Sequence, residues 1–194
     1  MRKLKLAVLI SGRGSNMEAL IGACAAPDFP ASITVVIANR PDAVGIEKAR
    51  AAGLATAVID HKLYPNRQAF EEVLQKTILE HGPVDLVCLA GFMRVLTPWF
   101  VDQWPERMIN IHPSLLPDYK GLDTYARALA DGRPEAGCTV HYVVPEMDDG
   151  QAIVQRRVPV LPGDTPETLA ARILIEEHKA YPEAVRIVAR RLLA

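Results

Sequence analysis

The chain has 194 residues, of which 49% are hydrophobic and 23% are charged, and its formal net charge is −1. This composition is typical of one soluble globular domain with a substantial core, and the near-neutral charge predicts no surface for nucleic acid. We find no signal peptide, no apolar run that could span a membrane and no metal-ligand spacing among the three cysteines, so a reduced, cytoplasmic location is expected.

The first half of the chain alternates predicted strands with predicted helices. Strands are expected at residues 4–10, 33–38, 55–59 and 84–89. Helices are expected at residues 17–25, 42–52 and 67–81, and a short helix begins with Thr97 as cap and Pro98 in its first turn. Asp42 is a predicted helix cap, and Gly53 a predicted helix end. Such alternation predicts a mainly parallel sheet that is covered by helices on both faces.

The pattern changes after the next strand, at residues 108–112. A helix at 124–130 is followed by strands at 138–144 and 152–160, which we expect to be antiparallel neighbours. A final helix, capped by Thr165, is expected to run to about residue 188. The sequence therefore predicts a single α/β domain over residues 1–194, with one open, twisted, Rossmann-like sheet and antiparallel strands toward the C-terminal half. Residues 1–100 would form a phosphate-binding half, and residues 101–194 the catalytic strand, hairpin and last helix.

Polar and apolar side chains alternate in the strand at residues 108–112. Asn110 and His112 should share one face, because side chains two residues apart in a strand point the same way. Pro113 lacks a backbone donor and should end the strand, which places the pair at the carboxyl end, where open α/β sheets bind ligands. An amide beside a titratable ring can stabilise a developing oxyanion. The structural alternative is a capped turn beside an ordinary core histidine.

The loop after the first strand contains the residues Gly12-Arg13-Gly14-Ser15-Asn16. Glycine allows a ligand to approach the backbone closely, and the free N–H groups of the following helix attract anions. The spacing matches neither the dinucleotide-binding glycine motif nor a Walker A loop. We therefore predict phosphate binding here, with a plain strand-to-helix turn as the alternative.

Two further segments could complete a site. The Asp148-Asp149-Gly150 turn supplies a carboxylate that, if the fold brought it to His112, would favour the protonated imidazole. By itself, the Asp-Asp-Gly sequence is also typical of an ordinary β-hairpin turn without a catalytic role. Residues 90–96 follow the fourth strand and could line an apolar slot for a flat heteroaromatic ligand, or could belong to the ordinary core.

These segments, residues 10–16, 90–96, 110–117 and 147–150, occur in an order that resembles the phosphoribosylglycinamide formyltransferases, which are folate-dependent enzymes of purine synthesis. The resemblance covers residues 6–182. Its Asn-x-His-Pro-Ser-x-Leu-Pro segment is specific to folate formyltransferases, and the Gly-Ser-Asn loop narrows it to the glycinamide ribonucleotide branch. The resemblance implies that a formyl group passes from 10-formyltetrahydrofolate, a co-substrate, to the amino group of glycinamide ribonucleotide.

The resemblance also implies roles for individual residues. The catalytic residues would be Asn110, His112 and Asp148. The substrate would be bound by Gly14, Ser15, Asn16 and, less clearly, Glu177. The folate would be bound by Arg67, Met93, Arg94, Val95, Leu96 and Asn110. No metal is expected, and the expected partners are small molecules only, with the chain a monomer or a homodimer that binds neither nucleic acid nor membrane.

Two features depart from the family pattern. Asp123 and Tyr125 stand where histidines are common, and a carboxylate there could alter the electrostatic field around His112. The chain ends at Ala194, whereas family members often carry a further C-terminal segment.

Three other interpretations remain open from the sequence. A formyltetrahydrofolate hydrolase, or the catalytic domain of a methionyl-tRNA formyltransferase, would be expected to carry a further domain. A nucleotide-dependent dehydrogenase would need the G-x-G-x-x-G motif and an acidic residue after the second strand, where this chain has Asn39 and Arg40. A non-catalytic folate- or nucleotide-binding module would not need Asn110, His112 and Asp148.

Overall fold

The computed structural model describes residues 2–194, in which strands alternate with helices except that β7 directly follows β6. The strands are β1 (Leu4–Ile10), β2 (Ala31–Ala38), β3 (Thr56–Val58), β4 (Leu86–Leu89), β5 (Met108–His112), β6 (Glu135–Tyr142) and β7 (Ala152–Pro159). The helices are α1 (Ser15–Cys24), α2 (Gly45–Ala51), α3 (Arg67–Glu80), α4 (Pro98–Val101), α5 (Thr124–Ala130) and α6 (Pro166–Leu193), with a short 3-10 turn at His61–Leu63. In the part of the chain described, no helix is long and apolar enough to cross a bilayer.

All seven strands belong to one sheet, in the order β3-β2-β1-β4-β5-β6-β7. The pairs from β3 to β5 are parallel, and β6 is antiparallel to both β5 and β7. The predicted fold class, a mostly parallel open sheet with antiparallel strands in the second half, is confirmed.

The sheet separates two apolar cores because successive side chains on a buried strand point to opposite faces. Leu6, Val8 and Ile10 of β1 face the core formed with α1, α2 and α6, whereas Ala7 and Leu9 face the core formed with α3 and α4. Both cores contain fully buried side chains, and this two-sided burial is what the continuous apolar run of β1 requires.

The predicted capping residues are confirmed at the start of two helices and wrong at the start of a third. Thr97 and Thr165 cap α4 and α6 through their side chains, as predicted. Asp42 does not cap α2, which begins at Gly45 after Val44; the Asp42 carboxylate instead pairs with Arg40 at the surface. The last helix also extends beyond the predicted end near residue 188, to Leu193.

The carboxyl ends of β1, β4 and β5 lie side by side, at the point where the chain reverses its direction of travel across the sheet. The loops after β1 and β4 are joined there, since Ser11 donates its backbone N–H to the Gly91 carbonyl (3.0 Å) and its hydroxyl accepts from the Met93 N–H (2.7 Å). A crevice of this kind is where open α/β sheets bind their ligands.

Candidate active site

Asn110 and His112 lie at the carboxyl end of β5 and share one face of the sheet. Their neighbours Ile109 and Ile111 pack into the opposite core, toward α6. The strand ends at His112, immediately before Pro113, because proline cannot continue the hydrogen-bonding ladder. His112 is 5% exposed, whereas Asn110 is only partly buried. The predicted geometry of the pair therefore holds.

The ring of His112 lies between two acceptors. Its Nε2 is 2.9 Å from the backbone carbonyl of Tyr119, and its Nδ1 is 3.5 Å from Oδ2 of Asp148. A carbonyl and a carboxylate can only accept hydrogen bonds, so both ring nitrogens have a partner only when both carry a proton. Each ring nitrogen of His112 thus faces an oxygen that can only accept a hydrogen bond.

Asp148 is brought to His112 by the loop between β6 and β7. Its backbone is in the left-handed region (φ 53°), and its Oδ2 accepts from the Gly121 N–H at 2.9 Å. Gly150 allows the loop to pass closely over β6, since a Cβ there would lie 1.7 Å from the Tyr142 carbonyl oxygen. These contacts fix a side chain that local sequence patterns alone could not place.

The structure adds one residue that the sequence analysis missed, His141 of β6. It is paired with Asn110 in the antiparallel register and is 2% exposed. Its Nε2 lies 3.4 Å from Asn110 Nδ2 and 3.7 Å from Asp148 Oδ1. Burial lowers the pKa of His141, although the hydrogen bond to Tyr142 and the charge of Asp148 oppose this change. The sequence did contain a signal for His141: Thr139 and His141 alternate with apolar residues, which indicates that both point to one face of the strand.

The predicted phosphate loop connects β1 to α1. Gly14 has φ 71° and immediately precedes the helix, which begins at Ser15 without a side-chain cap. Asn16, in the first turn, donates from Nδ2 to Glu177 Oε2 at 2.7 Å, while its Oδ1 is buried and has no hydrogen-bond partner among the described residues. Burial raises the pKa of Glu177, and the hydrogen bond from Asn16 partly offsets this. The structure therefore joins two of the four predicted substrate residues, Asn16 and Glu177, and the other two, Gly14 and Ser15, immediately precede Asn16 in the chain.

The predicted folate segment forms an open wall beside this crevice. Met93 and Val95 are exposed, whereas Leu96 is buried against the α3–α4 core. Arg94 is partly buried, with its guanidinium 5.5 Å from the centre of the Phe70 ring. The segment is held by the buried Glu71, whose carboxylate accepts from the backbone N–H of Thr97 at 2.8 Å.

Arg67 lies outside this cluster of contacts. It is exposed in the first turn of α3, and no ion pair or hydrogen bond of its side chain is found among residues 2–194. The structure thus leaves Arg67 available at the surface without bringing it to Asn110 or His112.

The two departures from the family pattern lie at the start of α5. Asp123 is exposed with φ 56°, and its side chain makes no capping hydrogen bond. Tyr125 is partly buried, and burial, reinforced by the charge of Glu177, raises the pKa of Tyr125 to about 12. Tyr125 also lines a cavity of about 280 Å³ behind residues 113–119. Within residues 2–194, no group of three or more His, Cys, Asp or Glu side chains is arranged to hold a metal ion.

Comparison with known proteins identifies the family. Residues 4–185 match the sequence model described as formyl transferase. The chain belongs to the formyl transferase family. The match includes all three catalytic candidates, Asn110, His112 and Asp148, and the phosphate loop, and it confirms the family resemblance inferred from the motifs.

Relatives within the formyl transferase family fall into two size classes. The chain is 48% identical over 188 residues to the human "Trifunctional purine biosynthetic protein adenosine-3", covering 97% of this chain but only 18% of that protein. It is 44% identical over 179 residues to the "Phosphoribosylglycinamide formyltransferase" of Escherichia coli K12, covering 92% of this chain and 84% of that protein. This formyl transferase thus spans about a fifth of the longer relative and most of the shorter one.

Solved structures of formyl transferases have the same fold. Glycinamide ribonucleotide transformylase 1 from Symbiobacterium toebii superposes with a TM-score of 0.94 at 46% identity, covering 97% of this chain and 89% of that one. The phosphoribosylglycinamide formyltransferase of Brucella melitensis gives 0.93 at 47% identity, with 97% and 96% coverage.

Proposed function

We propose that this formyl transferase moves the formyl group of 10-formyltetrahydrofolate to the amino group of N1-(5-phospho-D-ribosyl)glycinamide, in the de novo synthesis of the purine nucleotide IMP. The observation that carries the proposal is the convergence of Asn110, His112 and Asp148 at the strand end next to the Gly14–Asn16 loop. The relatives that are named for this reaction or for purine biosynthesis support it.

The proposed chemistry is an acyl transfer between two amines. The substrate amine attacks the formyl carbon, a C–N bond forms, and negative charge develops on the formyl oxygen. Asn110 and protonated His112 donate hydrogen bonds to that oxygen, as an oxyanion hole does. The bond from the formyl carbon to N10 of the folate then breaks; N10 takes up a proton and the new amide nitrogen loses one. Asp148, 3.5 Å from His112, keeps the ring charged and oriented.

The substrates are assigned to opposite sides of this centre. Gly14, Ser15 and Asn16 would bind the phosphate through the free N–H groups at the start of α1, a favourable place for an anion. Glu177, held by Asn16, would accept hydrogen bonds from the sugar hydroxyls. Met93, Arg94, Val95, Leu96 and Asn110 would contact the pterin, and Arg67 the acidic tail of the folate.

The proposed reaction also implies which partners the protein has and where it acts. Its partners are two small molecules, and no nucleic acid, membrane or resident metal has a part in it. We place the enzyme in the cytoplasm, an assignment supported by the free thiols of Cys24, Cys88 and Cys138. We propose that it is a monomer or a homodimer.

The direct test is to mix the purified chain with 10-formyltetrahydrofolate and glycinamide ribonucleotide, and to follow tetrahydrofolate release by absorbance and the formylated product by mass spectrometry. We expect stoichiometric formation of both products, and no release when glycinamide ribonucleotide is omitted. Release at the same rate with water as the only acceptor would replace this proposal with a hydrolase. The absence of folate turnover with either acceptor would refute a catalytic role.

A further inference from the structure

The orientation of the His141 ring is determined by its own strand. Nδ1 lies 2.8 Å from the backbone carbonyl of Tyr142, the next residue. A carbonyl oxygen can only accept, so the proton of this hydrogen bond belongs to Nδ1. If the ring is neutral, Nε2 then carries a lone pair and can only accept.

The surroundings of His141 favour that neutral ring. At 2% exposure a charged imidazole would lose its hydration. Two charged groups face it: Asp148, from the β6–β7 loop, favours a charge on His141, and His112, from β5, opposes one. The Asp148 carboxylate lies close to both rings: its Oδ2 is 3.5 Å from Nδ1 of His112, and its Oδ1 is 3.7 Å from Nε2 of His141. A single carboxylate shared by two rings supports one positive charge.

The neutral tautomer decides how the amide of Asn110 is turned. A side-chain amide can rotate by half a turn, which exchanges its oxygen with its nitrogen at little steric cost. Because Nε2 of His141 accepts, the Asn110 atom 3.4 Å away must be the donor Nδ2. The second N–H of the same Nδ2 is then left for the formyl oxygen. After half a turn, Asn110 would present a carbonyl oxygen to that negative charge instead.

We propose that His141 is a positioning residue for the formyl transfer: it holds the Asn110 carboxamide with its N–H₂ group, and not its oxygen, toward the reacting formyl oxygen. The inference rests on the proposed function for its catalytic consequence, but the ring and amide geometry on which it depends can be measured without turnover.

The kinetic test uses His141→Leu, which removes the acceptor, and His141→Gln, whose side-chain oxygen can accept in a similar position. We expect His141→Leu to lower kcat by about 3- to 10-fold, the range for losing one hydrogen bond, with both KM values unchanged. His141→Gln should restore most of this loss. Thermal melting of each variant, with Val140→Ala of the same strand as a control for altered packing, separates positioning from unfolding.

A double-mutant cycle tests whether His141 acts through Asn110. His141→Leu should have no further effect on kcat in the Asn110→Ala background, and its full effect in the His112→Ala background. An equal fold-loss in both backgrounds, or wild-type kcat for a folded His141→Leu variant, would overturn the proposal.

A measurement without substrate keeps this inference separate from the proposed function. Long-range ¹H–¹⁵N NMR of the imidazole should show His141 as the neutral Nδ1–H tautomer at pH 7, and the Asn110 side-chain ¹⁵N signal should move in His141→Leu. A charged ring or the Nε2–H tautomer would overturn the positioning role even in an active enzyme. An inactive enzyme with the expected NMR result would instead refute the formyl transfer.

Discussion

His112 and Asp148 meet across two elements of the sheet, with Nδ1 of the ring 3.5 Å from Oδ2 of the carboxylate. The imidazole comes from the end of β5, and the carboxylate comes from the loop that follows β6. The arrangement gives the ring an acceptor at each nitrogen, and the first two predictions test what these contacts contribute.

The oxyanion donors should be individually essential to rate. Asn110→Ala and His112→Ala should each lower turnover by about 10²- to 10³-fold, the cost typical of losing one oxyanion-hole donor. Steady-state kinetics should show the loss mainly in kcat, while circular dichroism shows an unchanged fold. Near-normal turnover in a folded His112→Ala variant would refute the assignment.

Removing the charge of Asp148 should reduce turnover, because this carboxylate lies 3.5 Å from the His112 ring. In Asp148→Asn the amide oxygen can still accept from the Gly121 N–H, so the loop should stay in place. We expect steady-state kinetics to show a lower kcat, because the ring loses the carboxylate that orients it. Asp149→Asn is the matched control, because that neighbouring carboxylate is exposed and pairs with Lys120. Wild-type kcat in a folded Asp148→Asn variant would contradict this role of Asp148.

The close approach at Gly150 should be sensitive to a single methyl group. A Cβ at this position would overlap the Tyr142 carbonyl, which also accepts from the His141 ring. Gly150→Ala should lower the free energy of unfolding by about 1–3 kcal/mol, as overpacking does, and should reduce turnover by displacing Asp148. Urea denaturation and kinetics measure the two effects.

The comparison for this variant is Gly22→Ala in α1, where an added Cβ meets no atom within 4 Å. That helical position should gain stability, by about 0.5–1 kcal/mol. If the two variants had equal stability and activity, the inferred contact at Gly150 would be wrong.

Glu177 should make stability fall as the pH rises. Burial raises its pKa above the ordinary 4.5, so the folded chain binds this proton more tightly than the unfolded chain does. Its contribution is complete below pH 4.5 and is lost as the pH rises through the raised value. Glu177→Gln should therefore be more stable than the wild type at pH 7, and this advantage should disappear near pH 4. Urea midpoints measured across this range give the comparison.

An exposed carboxyl provides the control for replacing a glutamate by glutamine. Glu80 lies near Lys76 at the surface, where an ion pair contributes little, so Glu80→Gln should leave the free energy of unfolding at pH 7 close to that of the wild type. A stability curve for Glu177→Gln that ran parallel to the wild-type curve across this pH range would show that the burial of Glu177 has no effect on stability.

Local patterns predicted the features that depend on near neighbours. The alternation around Asn110 and His112 determined their shared face, and Pro113 determined where β5 ends. The capping residues Thr97 and Thr165 were recognised for the same reason, because a cap contacts its own first turn. The signal failed at Asp42, because its carboxylate pairs with Arg40 and the helix starts beyond it, at Gly45.

Contacts between distant residues could not be read from spacing. Asp148 was assigned through the family motif, since no local rule brings a turn after β6 to the end of β5. His141 was missed because a histidine in an alternating strand does not reveal which neighbour it faces; only the register with β5 places it opposite Asn110.

The hydrogen bond between Asn16 and Glu177 joins residues that are 161 positions apart in the chain. Ribosomes deliver the N-terminal part of a protein first, and early segments begin to fold before later ones exist. The loop between β1 and α1 therefore lacks this side-chain contact until α6 has been synthesised. A chain stalled before α6 would hold this loop without the Glu177 carboxylate that accepts the hydrogen bond from Asn16.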